Sequence, residues 1–370
     1  MRERRQIVRR WQQGGSTVLV TLVRAEGSSY RQPGARLLLG ADGSYAGTIS
    51  GGCLETEVVR KAGWMVREGA VVERYSTLFE DTAEVPFGLG CGGVVSLLME
   101  PTETAECRAL MAAMAESLRG EETTVLTWMP REGRGLARAV LGRSGDFDFA
   151  SEGLSEAELV TARRGVLEPG EVDLGEEIFV ERMSAPQRLF VLGAGDDAKP
   201  LVNMGSLLGW SVTVADGRTQ LARAERFPEA ERVVALNGSD GLEIRREDAV
   251  VLMTHSYEQD RELLAAVLPI APRYFGLLGA RHRSSLLVSE VAAMIGSSVA
   301  ECCERLYAPV GLDLGGDGPE AIALAVIAEA QACCMGKLGS SRRMSPEDVA
   351  THVREGGGSR YLVQCALDQA

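Results

Sequence analysis

Apolar positions recur along this chain with two different periods. Glu3 to Gln13 reads as a short basic helix, with Ile7 and Trp11 on one face and Gly14-Gly15 ending it. Thr17 to Arg24 is a run of Thr, Val and Leu that predicts a strand. Ala35–Leu39 and Tyr45–Ile49 flank Asp42-Gly43, a strong hairpin signal. Leu54, Val58, Ala62 and Met65 are three or four residues apart and predict a helix from Leu54 to about Gly69. Strands follow at Ala70–Tyr75 and Val94–Met99, then a helix over Cys107–Leu118. Further strands are expected at Thr123–Met129, Gly135–Leu141 and Glu177–Arg182. The stretch from Arg143 to Gly175 is charged and shows no clear period. These elements predict an α+β domain over residues 1–184, with a boundary near Met183-Ser184-Ala185-Pro186.

From Arg188 the pattern changes. Leu189-Phe190-Val191-Leu192 is continuously apolar, as expected of a buried parallel strand. Gly193-Ala194-Gly195-Asp196-Asp197-Ala198 follows, then a helix to about Leu208 and a strand from Trp210 to Ala215 ending at Asp216. Strand, GxGxxA, helix, strand and a terminal acid together form the dinucleotide-binding fingerprint in its required context. Ala249–Met253 and Tyr274–Leu278 add strands, and Pro319 opens a helix that runs to about Met335 before Gly336. Ser345-Pro346-Glu347-Asp348 reads as the start of a last helix. Residues 185–370 are therefore expected to form a Rossmann-type, doubly wound parallel-sheet domain, giving an α/β protein overall.

Composition narrows the partners. The 370 residues are 45% hydrophobic and 25% charged, enough for two ordinary domains. A net charge of −13 argues against a nucleic-acid partner held by phosphate contacts. No apolar core follows the basic start, so no signal peptide is expected, and no run reaches the ~18 apolar residues of a membrane span. The eight cysteines include no CxxC pair, which fits neither a zinc ribbon nor a disulfide scaffold. A reduced, cytoplasmic protein is expected.

The candidate chemistry lies on glycine-rich turns. Ser50-Gly51-Gly52-Cys53-Leu54-Glu55 places a thiol where a helix begins, an environment that favours anions and thiolates. Gly90-Cys91-Gly92-Gly93 presents a second sulfur in similar surroundings. Ser28, Ser29 and Arg31 form a hydroxyl-rich loop suited either to a phosphate or to an ordinary solvated turn. In the second half, Gly193 and Gly195 permit close ligand approach; Asp216 suits a ribose hydroxyl and Arg218 a phosphate. Thr254 and His255 lie just past a strand end, where ligands of open α/β sheets bind. His255 is thus a candidate acid/base, or a histidine held by loop carbonyls. Asp260 either orients it or caps the following helix. A nicotinamide-dependent oxidoreductase using NAD(P) would employ the same residues.

These motifs, together with Pro309-Val310-Gly311-Leu312-Asp313, resemble the xanthine dehydrogenase accessory factor family of XdhC/CoxI type, across both halves of the chain. Many of its members carry His where this chain has Asp196. The resemblance implies a maturation factor or chaperone rather than a turnover enzyme. It would bind the molybdenum cofactor, as molybdopterin or its dinucleotide form, support its sulfuration, and pass it to an apo molybdenum hydroxylase such as xanthine dehydrogenase. A cysteine desulfurase as sulfur donor and a homodimeric state are implied as well. On this reading Cys53, and with it Cys91, acts on the metal, Cys53 as a molybdenum ligand through the cofactor. Arg31, Ser50, Gly51, Gly52, Glu55 and Gly92 line the cofactor, with Gly193, Gly195, Asp216, Arg218, Thr254 and His255 from the second half.

Overall fold

The computed structural model describes residues 1–27, 29–52, 54–76, 93–238 and 241–339. The chain opens with helix α1 (Arg2–Gln12), strands β1 (Ser16–Gly27), β2 (Arg36–Gly40) and β3 (Tyr45–Gly47), helix α2 (Glu55–Met65), and strands β4 (Val71–Ser76) and β5 (Gly93–Pro101). The five strands form an antiparallel sheet in the order β3-β2-β1-β5-β4. Alternation along β1 sets the two faces. Val18, Val20 and Leu22 pack with Leu54, Val58 and Ala62 of the α2 region, whereas Leu19 points to the other side with Ile7 and Val8 of α1.

Helix α3 (Ala105–Leu118) is capped by the Thr104 hydroxyl, which accepts from the Cys107 amide. It leads into strands β6 (Thr123–Trp128), β7 (Ala137–Leu141) and β8 (Phe147–Ala150), helix α4 (Glu156–Leu167) and strand β9 (Ile178–Met183). Their sheet is also antiparallel, ordered β8-β7-β6-β9. The stretch without a clear period thus contains β8 and α4. The local signal for α4 was Ser155-x-x-Glu158, a full capping box in the structure.

Two buried ion pairs tie the antiparallel sheets together. Arg138 of β7 donates from both terminal nitrogens to Glu100 of β5, at 2.9 and 3.0 Å, and neither side chain is more than 1% exposed. Arg36 of β2 makes the same two-pronged contact with Glu181 of β9. Planar guanidinium and carboxylate groups match each other in this geometry.

The remainder is built on strands β10 (Arg188–Leu192), β11 (Ser211–Asp216), β12 (Arg232–Ala235), β13 (Ala249–Leu252) and β14 (Tyr274–Leu277). All pairings are parallel, in the order β12-β11-β10-β13-β14. Helices α5 (Ala198–Leu207), α6 (Tyr257–Val267), α7 (Arg281–Ile295), α8 (Val299–Glu304) and α9 (Pro319–Cys334) surround it. Leu189 and Val191 face α5 and α9, while Phe190 and Leu192 face α6 and α7. Both faces are covered, which is why these strands are apolar throughout. The Pro309–Asp313 loop is held down from α9: Glu329 accepts from the Gly311 amide at 2.9 Å and the Tyr274 hydroxyl at 2.7 Å. Burial and the adjoining Glu329 push the Tyr274 phenol far above its ordinary value. The helix expected after Ser345 lies outside the described residues.

Candidate functional site

Two places collect the expected residues. The first is the turn between β3 and α2, which Glu55 organises from the first residue of the helix. Its buried carboxylate accepts from the amides of Ile49 at 3.1 Å and Ser50 at 2.9 Å, and from the hydroxyls of Thr48 and Ser50. Burial by itself would raise this carboxyl, but the bonds from Ser50 and Thr48 outweigh it and hold it at about 2. The Ser50 Oγ in turn accepts from the amides of Gly52 at 3.2 Å and Leu54 at 3.1 Å. The anion that steadies this turn is therefore the chain's own carboxylate. Glu55, expected to touch a cofactor, is an internal staple, and Ser50 is its relay.

What the staple leaves outward is main chain: Gly51 and Gly52 are exposed, and Gly52 has φ +108°, a conformation that favours glycine. Arg31 differs from expectation too. Its guanidinium pairs with Glu3 of α1, whose other oxygen accepts from the Thr48 amide at 2.6 Å. The arginine thus braces the turn through Glu3 rather than standing free for a phosphate. Tyr30, exposed, brings its ring to within 3.7 Å of where a Cβ on Gly51 would stand. Gly27 at the end of β1 pairs with Gly93 at the start of β5. Ser28, Cys53, Cys91 and Gly92 themselves lie outside the described residues.

The second place is the crevice at the carboxyl ends of β10 and β13, where the strand order reverses. Gly193 has φ +131°, and a Cβ there would stand 2.3 Å from the Met253 carbonyl oxygen, so no side chain fits. At Gly195 a Cβ would meet only the Asp197 carboxylate, Oδ1 at 2.4 Å, a side-chain tip that can move aside. Asp216 is fully buried and already takes four bonds. Oδ2 accepts from the Ala194 amide and the Arg218 Nη2, both at 2.7 Å; Oδ1 accepts from the Arg218 amide at 2.8 Å and its Nε at 2.9 Å. A carboxylate has about four acceptor sites, so nothing remains for a ribose hydroxyl. Burial raises this acid and the bonds from Arg218 and Ala194 lower it, with a net depression. Arg218, expected as a phosphate ligand, is committed to Asp216 and to the Thr254 carbonyl at 3.1 Å.

Thr254 is buried, with its hydroxyl 2.6 Å from Asp260 Oδ1. Asp260 neither orients His255 nor caps α6. It holds Thr254 and takes a bond of 2.6 Å from Arg283, while Ser256 is the cap residue. The partner of His255 is Asp197, whose Oδ2 lies 2.7 Å from its Nε2. Sequence reasoning passed over Asp197, which stood in the motif only as a variable position between the glycines and the helix. His255 is 58% exposed on its side chain and adopts φ +62°, uncommon for any residue but glycine. The Asp197 carboxylate can only accept, so Nε2 carries the hydrogen of this bond. Backbone strain, an orienting carboxylate and a strand-end position make this pair the chemically most capable group of the crevice. Asp196 is exposed and paired with Lys199 at 2.7 Å and Arg226 at 2.9 Å. Among the described residues no helix is long and apolar enough to cross a membrane.

Comparison with known proteins agrees with both halves. The family model described as the XdhC Rossmann domain matches residues 189–330, and that of the XdhC and CoxI family matches residues 10–76. The chain is 29% identical over 323 residues to a probable xanthine dehydrogenase subunit from Bacillus subtilis (strain 168), covering 84% of this chain and 91% of that protein. It is 24% identical over 319 residues to PaoD of Escherichia coli (strain K12), a molybdenum cofactor insertion chaperone, covering 85% and 83%. A crystal structure of a xanthine dehydrogenase from Bacillus halodurans is similar with a TM-score of 0.76 and 26% identity, over 94% of this chain and 99% of that one. The two matched segments carry the glycine turn after β10 and the turn stapled by Glu55, and with them this chain belongs to the XdhC and CoxI family.

Proposed function

We propose that this protein is a maturation factor for molybdenum hydroxylases of the xanthine dehydrogenase type. It takes up the molybdenum cofactor as cargo and passes it to the apo-enzyme. The single observation that carries this reading is the similarity to an insertion chaperone for that cofactor along 85% of the chain. The turn at Gly51-Gly52 supports it, because exposed main chain on a rigid base lets a bulky anionic cargo approach closely. Cys53 and Cys91 supply soft sulfur ligands suited to a sulfur-rich metal centre. His255 with Asp197 handles protons in the crevice, where the nucleotide end of a dinucleotide form of the cofactor lies. Exchange of an oxo for a sulfido ligand before delivery, with a cysteine desulfurase as donor, belongs to the same reading, as do a homodimeric state and a cytoplasmic location. The division into domains at residue 184 assigns the cysteine turns to one domain and the crevice to the other. A nicotinamide-dependent oxidoreductase is not favoured, since its ribose contact relies on Asp216, whose acceptor sites are filled, whereas the cofactor reading rests on the glycine turn and His255 and asks nothing of Asp216.

The test is retention of the cargo. The purified protein is incubated with excess molybdenum cofactor, separated from free cofactor, and assayed for bound molybdenum and for activation of an apo-hydroxylase. Near-stoichiometric metal that falls with Cys53→Ala and Cys91→Ala is expected. Molybdenum no higher than on an unrelated protein sinks the reading; full retention by both variants removes the thiols from it.

A further inference from the structure

A cavity of about 140 Å³ lies among Glu3 and Arg4 of α1, Gly34 and Arg36 before and in β2, Met114 of α3 and Glu181 of β9. Its charges do not balance. Glu3 is engaged by Arg31 and the Thr48 amide, which leaves Glu181 to face two guanidinium groups. Arg36 uses its terminal nitrogens on Glu181 and the Gly34 carbonyl, and its Nε–H is buried without a partner. Arg4 donates from Nη1 to the Ser117 hydroxyl and the Ser184 carbonyl, both at 2.9 Å. Among the described residues no carboxylate lies within ion-pair distance of Arg4. Burial lowers its proton affinity, Glu181 raises it, and Arg36 lowers it further. At Arg36 burial lowers the proton affinity, but the pairing with Glu181 outweighs burial and raises it. The under-compensated cation is therefore Arg4, which is costly to desolvate unless another anion completes the set.

We propose that this cavity binds a tetrahedral oxyanion between Arg4 and Arg36, either free or as the terminal group of a phosphomonoester. Arginine forks present donors that match such oxygens. The space is well below the ~300 Å³ at which pockets for larger organic ligands begin, and it exceeds the room that a single water needs. The site is independent of the cofactor reading, since it rests on residues of α1, β2 and β9 and not on the glycine turns or the crevice.

Calorimetry and thermal melts of the full chain test it, with inorganic phosphate, sulfate and glycerol 3-phosphate each compared with chloride at equal ionic strength. Saturable binding of one equivalent and a raised Tm are expected with phosphate or with glycerol 3-phosphate, and the two arms tell a free ion from an esterified one. Arg4→Met should weaken it roughly ten- to a hundredfold, the loss of one charge-assisted contact. Glu181→Gln removes the competing charge and should tighten it. Absence of saturable binding by the wild type, or affinity unchanged in Arg4→Met, overturns the proposal. Should Arg4→Met fail to fold, Arg4→Gln, which can still donate to Ser117 and Ser184, decides: affinity equal to that of the wild type overturns it.

Discussion

Changing Glu55 to Gln probes the staple under the glycine turn. The carboxyl sits at about 2 against an ordinary 4.5, and the side chain is 3% exposed. At about 1.4 kcal/mol per pKa unit, the ionised form contributes on the order of 3 kcal/mol to the folded state near neutral pH. The sign follows from the direction of the shift. Because the folded-state value lies below the unfolded one, the contribution is complete above about 4.5 and is lost as pH falls towards 2. Near pH 3 about 1 kcal/mol should remain. Glutamine can still accept from the Ile49 and Ser50 amides, and its own NH₂ can donate to the hydroxyls, so part of the network survives. The assay is amide hydrogen exchange across residues 48–55, which reports opening of this turn rather than of the whole chain. Protection of the Ile49 amide should fall by about 2–3 kcal/mol near neutral pH and by about 1 kcal/mol near pH 3. A difference that stays the same at both pH values would show that the carboxylate charge does not hold the turn.

Further outcomes follow from the same geometry. Glu100→Gln or Arg138→Met should cost about 3–5 kcal/mol in urea unfolding, since each leaves a buried charge unpaired. The Glu100→Leu, Arg138→Met double variant should lose less than either single change, and an additive loss would contradict the pairing. His255→Gly should be neutral or stabilising by about 0.5–1 kcal/mol, because φ +62° suits glycine, while any activity that uses the imidazole disappears. A clear drop in Tm would mean that the Asp197 contact outweighs the backbone strain. Glu329→Ala should cost about 1–3 kcal/mol and make the loop near Gly311 more open to proteolysis, as the Tyr274 hydroxyl and Gly311 amide lose their acceptor. Unaltered cleavage would count against that anchor. NAD and NADP should give no binding heat at millimolar concentration, with Asp216 unavailable to ribose.

Much of the architecture could be read from residue order. The parallel sheet announced itself through continuous apolar runs at Leu189–Leu192 and Ala249–Met253, because strands covered on both faces have no polar side to show. The glycine turn after β10 and the terminal acid of β11 were equally visible, since tight backbone approach tolerates only glycine. Helix α4 was hidden by its charge, although its capping box was there to be found.

Side-chain commitments were another matter. Asp216, Arg218, Arg31 and Glu55 are the residue types that bind phosphates and riboses, and their positions in the motifs are right. Each is instead engaged within the fold: Asp216 with Arg218, Arg31 with Glu3, Glu55 with its own turn. A charged side chain is free for a ligand only if no nearer partner claims it, and that competition is settled by three-dimensional distance. Glu3 meets Thr48, and Asp197 meets His255, across 45 and 58 residues of chain. The local pattern of apolar and glycine residues therefore specified elements and turns by itself. The tertiary structure decided which polar groups became scaffold, because hydrogen-bond partners are chosen by proximity after the core has packed.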